Sequence, residues 1–337
     1  HCGHDDYHSV DDTGFFQIFA KNVQEVADLN LVAHRIAELT LNPGIIAQDG
    51  FLTSHVIETL DIPETELVAK YLGNPTDTIE CPTPAQRMLF GETRRRIPEL
   101  FDVDYPAMLG VVQNQDAYAQ GVAAQRPFFF DHITELADQA LAEFAALTGR
   151  NYARASGYRT EDADFVVVGQ GSIVWNLEEV CDHLRATEGV KVGVVNITMF
   201  RPFPNDLVAS LLRGKKGVLV LERVDQPLAS DAPLLKEIRG SVLKALENGR
   251  SGNGSLPYPE ICSYKLDDAP DFYSGCFGLG SRDVQPGDMM AAVRNMLPGQ
   301  SGRRLFYMGI DFFRKNTSDK LTEHQKKTLE LYPDIED

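Results

Sequence analysis

Residues 164–204, DFVVVGQGSIVWNLEEVCDHLRATEGVKVGVVNITMFRPFP, contain the pattern that decides the fold. An apolar run at 165–168 is followed by the two glycines of GQG. Apolar residues at helical spacing then predict a helix over 176–187, and a second apolar run spans 190–197. This order is typical of a strand–helix–strand unit, whose right-handed crossover makes its two strands parallel.

Alternating strand and helix patterns continue through residues 153–300, which are predicted to form a second domain. The further predicted elements are strands at 217–222 and 260–265 and helices at 205–212, 233–247 and 286–296. Strands that are apolar along their whole length need helices on both faces, so the pattern predicts a mostly parallel, doubly wound sheet. Residues 301–337 are predicted to form a C-terminal extension or linker, in which 305–310 has the pattern of one more strand.

Residues 1–152 are predicted to form a first α/β domain, also with a mostly parallel sheet. Apolar residues at helical spacing predict a helix over Val23–Thr40, which Pro43 ends because proline lacks an amide hydrogen. A short buried strand is expected at 44–48, and a second helix at 133–147, closed by a glycine.

Two segments of this first region have the composition of connections. Residues 63–106 are rich in proline and charge and are predicted to cross the domain surface with short helices. The polar residues 151–162 include a glycine and are the best candidate for the linker between the two domains.

The composition excludes several classes of protein. A net charge of −17 over 337 residues repels phosphate backbones and anionic lipid surfaces, so neither nucleic acid nor membrane is an expected partner. No apolar run is long enough to span a bilayer. The five cysteines are scattered without a CxxC pair, which indicates reduced thiols in the cytoplasm. The same spacing leaves the chain without the ligands of a ferredoxin-type iron–sulfur cluster.

Two motifs resemble ligand sites but have ordinary structural explanations. A group of potential metal ligands opens the chain, namely His1, Cys2, His4, Asp5, Asp6 and His8. No second cluster completes a closed site, so no metal site is predicted. The GQGS stretch at 169–172 is similar to a dinucleotide loop, but Val174 replaces the third glycine. We expect a tight strand-to-helix turn there, with a nicotinamide-dependent dehydrogenase as an alternative.

A polar loop follows the strand predicted at 44–48, at the sheet edge where open α/β folds bind ligands. Its side chains offer a carboxylate, two hydroxyls and a titratable ring. The predicted cofactor-binding residues are Asp49, Gly50, Phe51, Thr53, Ser54 and His55. Capping of a helix by Thr53 or Ser54 is an alternative explanation of the hydroxyls.

Three charged residues at predicted strand ends are expected to form an interface between the domains. Arg201 stands between Phe200 and Pro202 and is expected to pair with an acidic group, with Glu222 as the candidate. Glu222 and Arg223 stand at the end of the strand predicted at 217–222. A structural ion pair is favoured over a catalytic role for Arg201.

Four stretches together resemble the pyruvate:ferredoxin/flavodoxin oxidoreductases, which are large, thiamine-diphosphate-dependent enzymes with iron–sulfur clusters. They are residues 164–204, LERVDQPLASDAPLLKEI at 221–238, GCFGLGSRDVQPGDMMAAVRNML at 275–297 and DGFLTSH at 49–55. The resemblance implies that 1–152 is the later half of a thiamine-pyrimidine-type domain and 153–300 a transketolase C-terminal-like domain. The family usually carries an arginine where this chain has Leu52.

The activity of this family is the expectation for the complete enzyme. The resemblance implies oxidative decarboxylation of a 2-oxoacid, with coenzyme A as acyl acceptor and ferredoxin or flavodoxin as electron acceptor. It implies thiamine diphosphate with magnesium, and iron–sulfur clusters only in domains absent from this chain. The family's catalytic glutamate, and the threonine and arginine that hold the substrate carboxylate, are expected to precede His1. This chain alone is therefore expected to bind no complete cofactor and to be inactive.

The resemblance predicts a mainly architectural chain that helps to form the cofactor cleft. Its partners would be the remaining domains or subunits, in a homo- or hetero-oligomer. The alternative is a non-catalytic binding or scaffold protein that kept the fold, which Leu52 and the atypical insert at 63–126 favour.

Overall fold

The computed structural model describes residues 3–98, 112–251, 254–310 and 318–331, which form two lobes. The first lobe contains α1 (Asp5–His8), β1 (Phe16–Phe19), α2 (Val23–Thr40), β2 (Gly44–Ala47), α3 (Thr65–Leu72), β3 (Thr78–Glu80), α4 (Pro84–Phe90), β4 (Thr93–Arg95), α5 (Gln115–Phe128) and α6 (Ile133–Thr148). The second lobe contains β5 (Ala155–Tyr158), β6 (Phe165–Gly169), α7 (Ile173–Glu188), β7 (Val192–Ile197), β8 (Met199–Arg201), α8 (Asn205–Leu212), β9 (Gly217–Glu222), α9 (Pro233–Arg250), β10 (Asp271–Cys276), α10 (Pro286–Asn295), β11 (Leu305–Tyr307) and α11 (Asp319–Leu331).

The second lobe is built on a six-stranded sheet in the order β11-β10-β9-β6-β7-β5. Its neighbouring strands are parallel, except that β5 runs antiparallel to β7. One face of the sheet packs against α8 and α9, and the other against α7 and α10. The predicted strand–helix–strand unit and the doubly wound, mostly parallel sheet are therefore confirmed.

A smaller sheet lies in the first lobe, in the order β2-β1-β8. β1 pairs with β2 in parallel and with β8 in antiparallel orientation. Only Thr198 separates β8 from β7, so the chain leaves the larger sheet and at once completes the smaller one. Helices α2 and α6 bury their apolar faces in the core beside this sheet.

Several predicted elements are confirmed. Helix α2 has the predicted bounds and is followed by Leu41, which takes a left-handed conformation with φ of 54°. Helix α6 ends at Gly149, which is also left-handed with φ of 74°. Helix α8 and strand β9 have the predicted bounds as well, and β11 lies inside the segment 305–310.

Three secondary-structure predictions are wrong. Residues 260–265 form no strand, because Ile261 and Tyr264 are buried against α8 and α9 rather than in a sheet. Strand β10 occupies that place in the sheet instead. The predicted linker at 151–162 contains β5, whose polar composition suits an edge strand. Strand β2 is not buried, because it forms the edge of its sheet and its residues are half-buried or exposed.

The remaining segments connect or extend the lobes. The described part of the predicted surface segment 63–106 contains α3, α4 and an unpredicted β3–β4 hairpin, and 99–106 lie outside the described residues. Helix α11 has no buried residue. In the described parts of the chain, no helix is long and apolar enough to cross a membrane. The domain limits at 152 and 300 stay predictions.

Candidate functional site

Three strand ends meet at the junction of the two lobes. Asp49 lies two residues after β2, Ser172 lies three residues after β6, and Arg223 directly follows β9. Arg223 Nη1 donates to Asp49 Oδ1 at 2.7 Å, and the Ser172 amide donates to Asp49 Oδ2 at 2.6 Å. The side chains of Asp49 and Arg223 are both 0% exposed. Together with His4, these residues are called the interlobe cluster below.

His4 connects the short helix α1 to both lobes. Its ring Nε2 lies 2.8 Å from Asp49 Oδ1, and its backbone amide donates to the Arg223 carbonyl at 2.9 Å. The ring also packs on Phe19 of β1, with 4.5 Å between centroids. The potential metal ligand His4 is thus a buried structural side chain.

Arg223 contacts the backbone of both lobes as well. Its Nε donates to the Gly278 carbonyl at 3.1 Å, and Nη1 reaches the Gly50 carbonyl at 3.3 Å. Nη2 is buried and has no hydrogen-bond partner among the described residues. A guanidinium suits this position because its fork of N–H groups can serve several acceptors at once.

The carboxyl group of Asp49 is held in its ionised form. Burial alone would raise its pKa, but the hydrogen bonds from His4, the Ser172 amide and Arg223 outweigh burial and hold the pKa well below its usual range. Both carboxylate oxygens already accept hydrogen bonds from the protein. The carboxylate therefore joins the lobes and is not free to bind a ligand.

Gly171 permits the close approach of Asp49 to the start of α7. Its φ is +79°, and a Cβ at this position would lie 2.3 Å from Asp49 Oδ2 and 2.7 Å from the Phe19 ring. The tight turn predicted at GQGS is confirmed, but α7 begins at Ile173, so the predicted helix start at Asn176 is wrong. The Ser172 amide at the start of α7 already donates to Asp49, so this amide is not free to bind a dinucleotide phosphate.

The rest of the predicted cofactor loop is a compact turn. The amides of Thr53 and Ser54 donate to the Asp49 carbonyl at 3.2 Å each, and neither residue caps a helix. The Ser54 hydroxyl accepts from the Phe51 amide at 3.0 Å and lies 2.8 Å from His55 Nδ1. The rings of Phe51 and His55 stack at 4.5 Å. Asp49 and Thr53 are buried, whereas Phe51, Ser54 and His55 face solvent.

Arg201 does not pair with Glu222, so that predicted contact is wrong. Its Nη2 lies 3.3 Å from Asp11 of the first lobe and 3.0 Å from Glu237 of α9. Its guanidinium also covers the ring of Phe200 at 4.4 Å. Arg201 thus bridges the lobes as expected of an interface residue, but through other partners.

Glu222 faces the start of α9 rather than the other lobe. Its carboxyl oxygens accept hydrogen bonds from the amides of Leu234 at 2.6 Å and Leu235 at 3.2 Å. Burial raises its pKa and these hydrogen bonds oppose the rise, which leaves the pKa at about 7. The side chain of Glu222 therefore lies within its own lobe. Glu222 and Arg201 both stand at the ends of predicted strands, but this did not bring their side chains together.

Replacing Glu222 with glutamine is expected to change how stability depends on pH. In the folded protein Glu222 keeps its proton up to about pH 7, while the unfolded chain releases it from about pH 4.5. The contribution of Glu222 to the free energy of unfolding should therefore fall as pH rises through that window and level off above it. Urea unfolding at both ends of the window should show that the free energy of unfolding of Glu222→Gln rises relative to that of the wild type as pH rises. An identical pH dependence in both proteins would contradict the assignment.

His8 is buried beside the interlobe cluster and has no ion-pair partner among the described residues. Its ring packs on Phe200 at 4.6 Å between centroids, and its Nδ1 has no hydrogen-bond partner among the described residues. Burial, together with the nearby His4, Arg201 and Lys236, lowers the pKa of His8 to about 3. The ring is therefore neutral in the folded protein over most of the acid range.

Acid should destabilise the wild-type protein through His8. The unfolded chain takes up a proton below about pH 6.5, and the folded protein does so only near pH 3, so stability is lost as pH falls between these values. The slope from this group is up to about 1.4 kcal/mol per pH unit. His8→Phe keeps the ring packing and should reduce the slope in urea titrations. The same substitution at the exposed His183 of α7 serves as the control and should not change it.

Arg154 is a further contact between the lobes that the sequence reasoning missed. It joins Asp138 of α6 at 2.7 Å to Asp206 of α8 at 2.8 Å. The residue lies in the polar segment predicted as a linker, where a charged side chain is expected to be exposed. In the structure it is only 3% exposed, and sequence pattern alone carries no signal of that burial.

The described members of the group of potential metal ligands at the start of the sequence do not form a metal site. Among the residues that the structure describes, no group of three or more His, Cys, Asp or Glu side chains is placed to hold a metal ion. His4 and His8 are buried at the junction, while His1 and Cys2 lie outside the described residues.

Comparison with known protein families gives two matches that divide the chain. Residues 1–137 match the family described as pyruvate flavodoxin/ferredoxin oxidoreductase, thiamine diphosphate-binding. Residues 163–253 match the family described as pyruvate:ferredoxin oxidoreductase core domain II. The first match contains the loop with Asp49, and the second contains Ser172 and Arg223.

Individual proteins of this family are similar to the chain across both matched regions. The chain is 30% identical to pyruvate synthase subunit PorA of Thermotoga maritima over 301 residues, which are 89% of this chain and 66% of that subunit. It is 30% identical to pyruvate-flavodoxin oxidoreductase of Klebsiella pneumoniae over 87% of this chain and 22% of that protein. It is 33% identical to the PorA subunit of Pyrococcus furiosus over 63% of this chain and 49% of that subunit. The chain thus spans less than two thirds of the length of these relatives.

Proposed function

Because this chain belongs to the 2-oxoacid:ferredoxin/flavodoxin oxidoreductase family, we propose that it is one part of an enzyme that oxidatively decarboxylates a 2-oxoacid to an acyl-coenzyme A. Its own role in this proposal is architectural: it forms one wall of the cofactor cleft. The remaining domains or subunits supply the thiamine diphosphate site with magnesium and the iron–sulfur clusters. Ferredoxin or flavodoxin accepts the electrons, and the assembly is cytoplasmic and oligomeric.

The observation that carries this proposal is the surface of the loop that Asp49 anchors. Phe51, Ile57 and Ile62 are 53%, 103% and 77% exposed, although they follow a residue that is fully buried at the lobe junction. Large exposed apolar side chains in one segment mark surfaces that bind other proteins. A loop fixed at one end and apolar on its surface suits docking of a partner domain that carries the cofactor.

The described residues of the Asp49 loop do not fit the diphosphate and magnesium of thiamine diphosphate. Both oxygens of Asp49 accept hydrogen bonds from the protein, and the described residues include no cluster of side chains placed to hold a metal ion. No catalytic step is therefore assigned to this chain through that cofactor. Ser54 and His55, which are exposed beside Phe51, supply at most contacts on the rim of the cleft.

Reconstitution tests the proposal directly. The chain is combined with the remaining parts of a 2-oxoacid oxidoreductase, and reduction of ferredoxin or flavodoxin is measured with pyruvate and coenzyme A. We expect no turnover with the chain alone and thiamine-dependent turnover with the complete assembly. If an assembly that lacks this chain reduced ferredoxin or flavodoxin as fast as the complete assembly, the proposal would be refuted.

Two variants test whether the exposed apolar loop with Phe51, Ile57 and Ile62 binds a partner domain. Ile57→Glu places a charge in the exposed apolar loop and should weaken assembly, measured by size-exclusion chromatography with light scattering. Leu228 in the second lobe is 101% exposed, so Leu228→Glu makes the same change at an equally open position away from the loop. It should assemble like the wild type. Equal behaviour of the two variants would remove the loop from the interface.

A non-catalytic scaffold is the second candidate, and Leu52 favours it. The family usually has an arginine at this position, and here the side chain is apolar and half-buried. A scaffold would assemble with the partner parts without restoring turnover. Turnover of the assembly that contains the wild-type chain separates the two candidates, because only the enzyme part would restore it.

A further inference from the structure

We propose that a cavity beside the interlobe cluster binds an uncharged, planar heteroaromatic ring of the nucleobase class. The cavity has a volume of about 370 Å³ and lies between the loop after β2 and the starts of α7 and α10. Small-molecule sites commonly have roughly 300–1,000 Å³. It is called the Trp175 cavity below.

The cavity lies where strands of both sheets end. Asn22 follows β1, Thr53 follows β2, Ile173 follows β6 and Phe277 follows β10, and all four residues line it. Open α/β sheets bind ligands in crevices outside the carboxyl ends of their strands. Here two sheets contribute strand ends to one crevice, and the buried interlobe cluster holds the two sides together.

The walls suit a flat ring. Trp175 is the single tryptophan of the chain, lines the cavity and is 44% exposed. The apolar side chains that line the cavity with it are Leu52, Ile173, Phe277, Val284 and Met289. Aromatic side chains bind bases by stacking on their faces. Without a ligand, the indole face is partly left to water.

Neutral polar side chains contribute to the cavity wall. Thr53 is 4% exposed and lines the cavity. The amide of Asn176 stands at the first turn of α7 and likewise lines the cavity. A hydroxyl and a carboxamide that line a cavity can donate to, or accept from, a ring nitrogen or an exocyclic group of a ligand. Uncharged donors and acceptors therefore favour an uncharged ring edge.

The charges around the cavity disfavour a phosphate. The ammonium of Lys21 lines the cavity, but it is paired with Glu178 at 2.8 Å. Glu58 and Asp283 are exposed and line the same cavity, so a phosphate group would approach two carboxylates. Repulsion between like charges then makes a nucleoside a better ligand than the corresponding nucleotide.

Because Trp175 is the single tryptophan of the chain and lines the cavity, its fluorescence reports ligand binding without any partner domain. We titrate adenosine and AMP into the protein and follow Trp175 fluorescence. We expect saturable quenching by adenosine and weaker binding of AMP. Thr53→Val keeps the shape and removes the hydroxyl, and should weaken adenosine about threefold to tenfold. Asn176→Ala, at an exposed position, should also weaken it and does not disturb the buried side of the cavity.

Thr187 supplies the matched control. Its hydroxyl bonds the His183 carbonyl at 2.8 Å at the far end of α7, so Thr187→Val should bind adenosine like the wild type. Absence of saturable quenching in the wild type would overturn the site. AMP binding more tightly than adenosine would overturn the ligand class, and equal weakening by Thr53→Val and Thr187→Val would overturn the position.

This inference does not rest on the proposed function. Adenosine binding is measured without partner domains or turnover, and assembly is measured without adenosine. Failure of one result therefore leaves the other standing.

Discussion

Replacing Asp49 with asparagine is expected to lower the free energy of unfolding by about 3–5 kcal/mol, the usual cost of removing one partner from a buried ion pair. The carboxylate is completely buried and accepts from Arg223, His4 and the Ser172 amide. Asparagine keeps the volume but leaves the Arg223 guanidinium buried without an anion. The asparagine Nδ2, which can only donate, would also replace an oxygen that accepts a hydrogen bond, so a donor would lose its acceptor. Urea unfolding of the two proteins measures the difference.

Asp162 provides the control for this substitution. It pairs with Arg185 at 2.8 Å, but its side chain is 60% exposed, so water and salt screen the interaction. Asp162→Asn should leave the free energy of unfolding nearly unchanged. If the two variants lose the same small amount of stability, the interlobe cluster does not hold the lobes together.

Replacing Gly171 with alanine is expected to cost about 2–5 kcal/mol. The left-handed conformation, with φ of +79°, costs an alanine about 1–2 kcal/mol. The added methyl group would also overlap Asp49 Oδ2, at 2.3 Å, and the Phe19 ring, and such overpacking costs about 1–3 kcal/mol. Thermal and chemical unfolding both report this loss.

Gly189 separates the two causes. It ends the same helix with φ of +67°, but a Cβ there would have nothing within 4 Å. Gly189→Ala should therefore lose only the conformational part, about 1–2 kcal/mol. A loss at Gly171 no larger than the loss at Gly189 would mean that Asp49 can move away without cost.

Periodicity in the sequence predicted the elements that bury apolar residues on a regular spacing. Helix α2, helix α8 and strand β9 were predicted with their observed bounds. Strand β5 and strand β10 were missed because ASGY and DFYSGC contain serine and glycine, which pack poorly and weaken a strand pattern. Their places in the sheet depend on β7 and β9, and no local window of the sequence contains those neighbours.

The sequence predicted that the residues of the Asp49 loop lie together, but not which contacts they make; that they bind a cofactor stays a prediction. The loop that begins at Asp49 was identified because polar residues follow a strand, and the structure brings its residues together. That Asp49 binds Arg223 could not be predicted, because the two residues are far apart along the chain and both belong to polar loops in the sequence. The pairing of Arg201 with Glu222 failed for a related reason: a strand end predicts where a residue lies but not which lobe its side chain faces.

The antiparallel pairing of β8 with β1 limits how this chain can be divided. A fragment that stops at residue 152 would keep β1 but lose the strand that covers one of its edges. Unpaired strand edges invite aggregation. Chimeras that exchange lobes between members of the family would therefore have to carry residues 199–201 together with the recipient's β1. Recombination that keeps this pairing should therefore exchange the two lobes together.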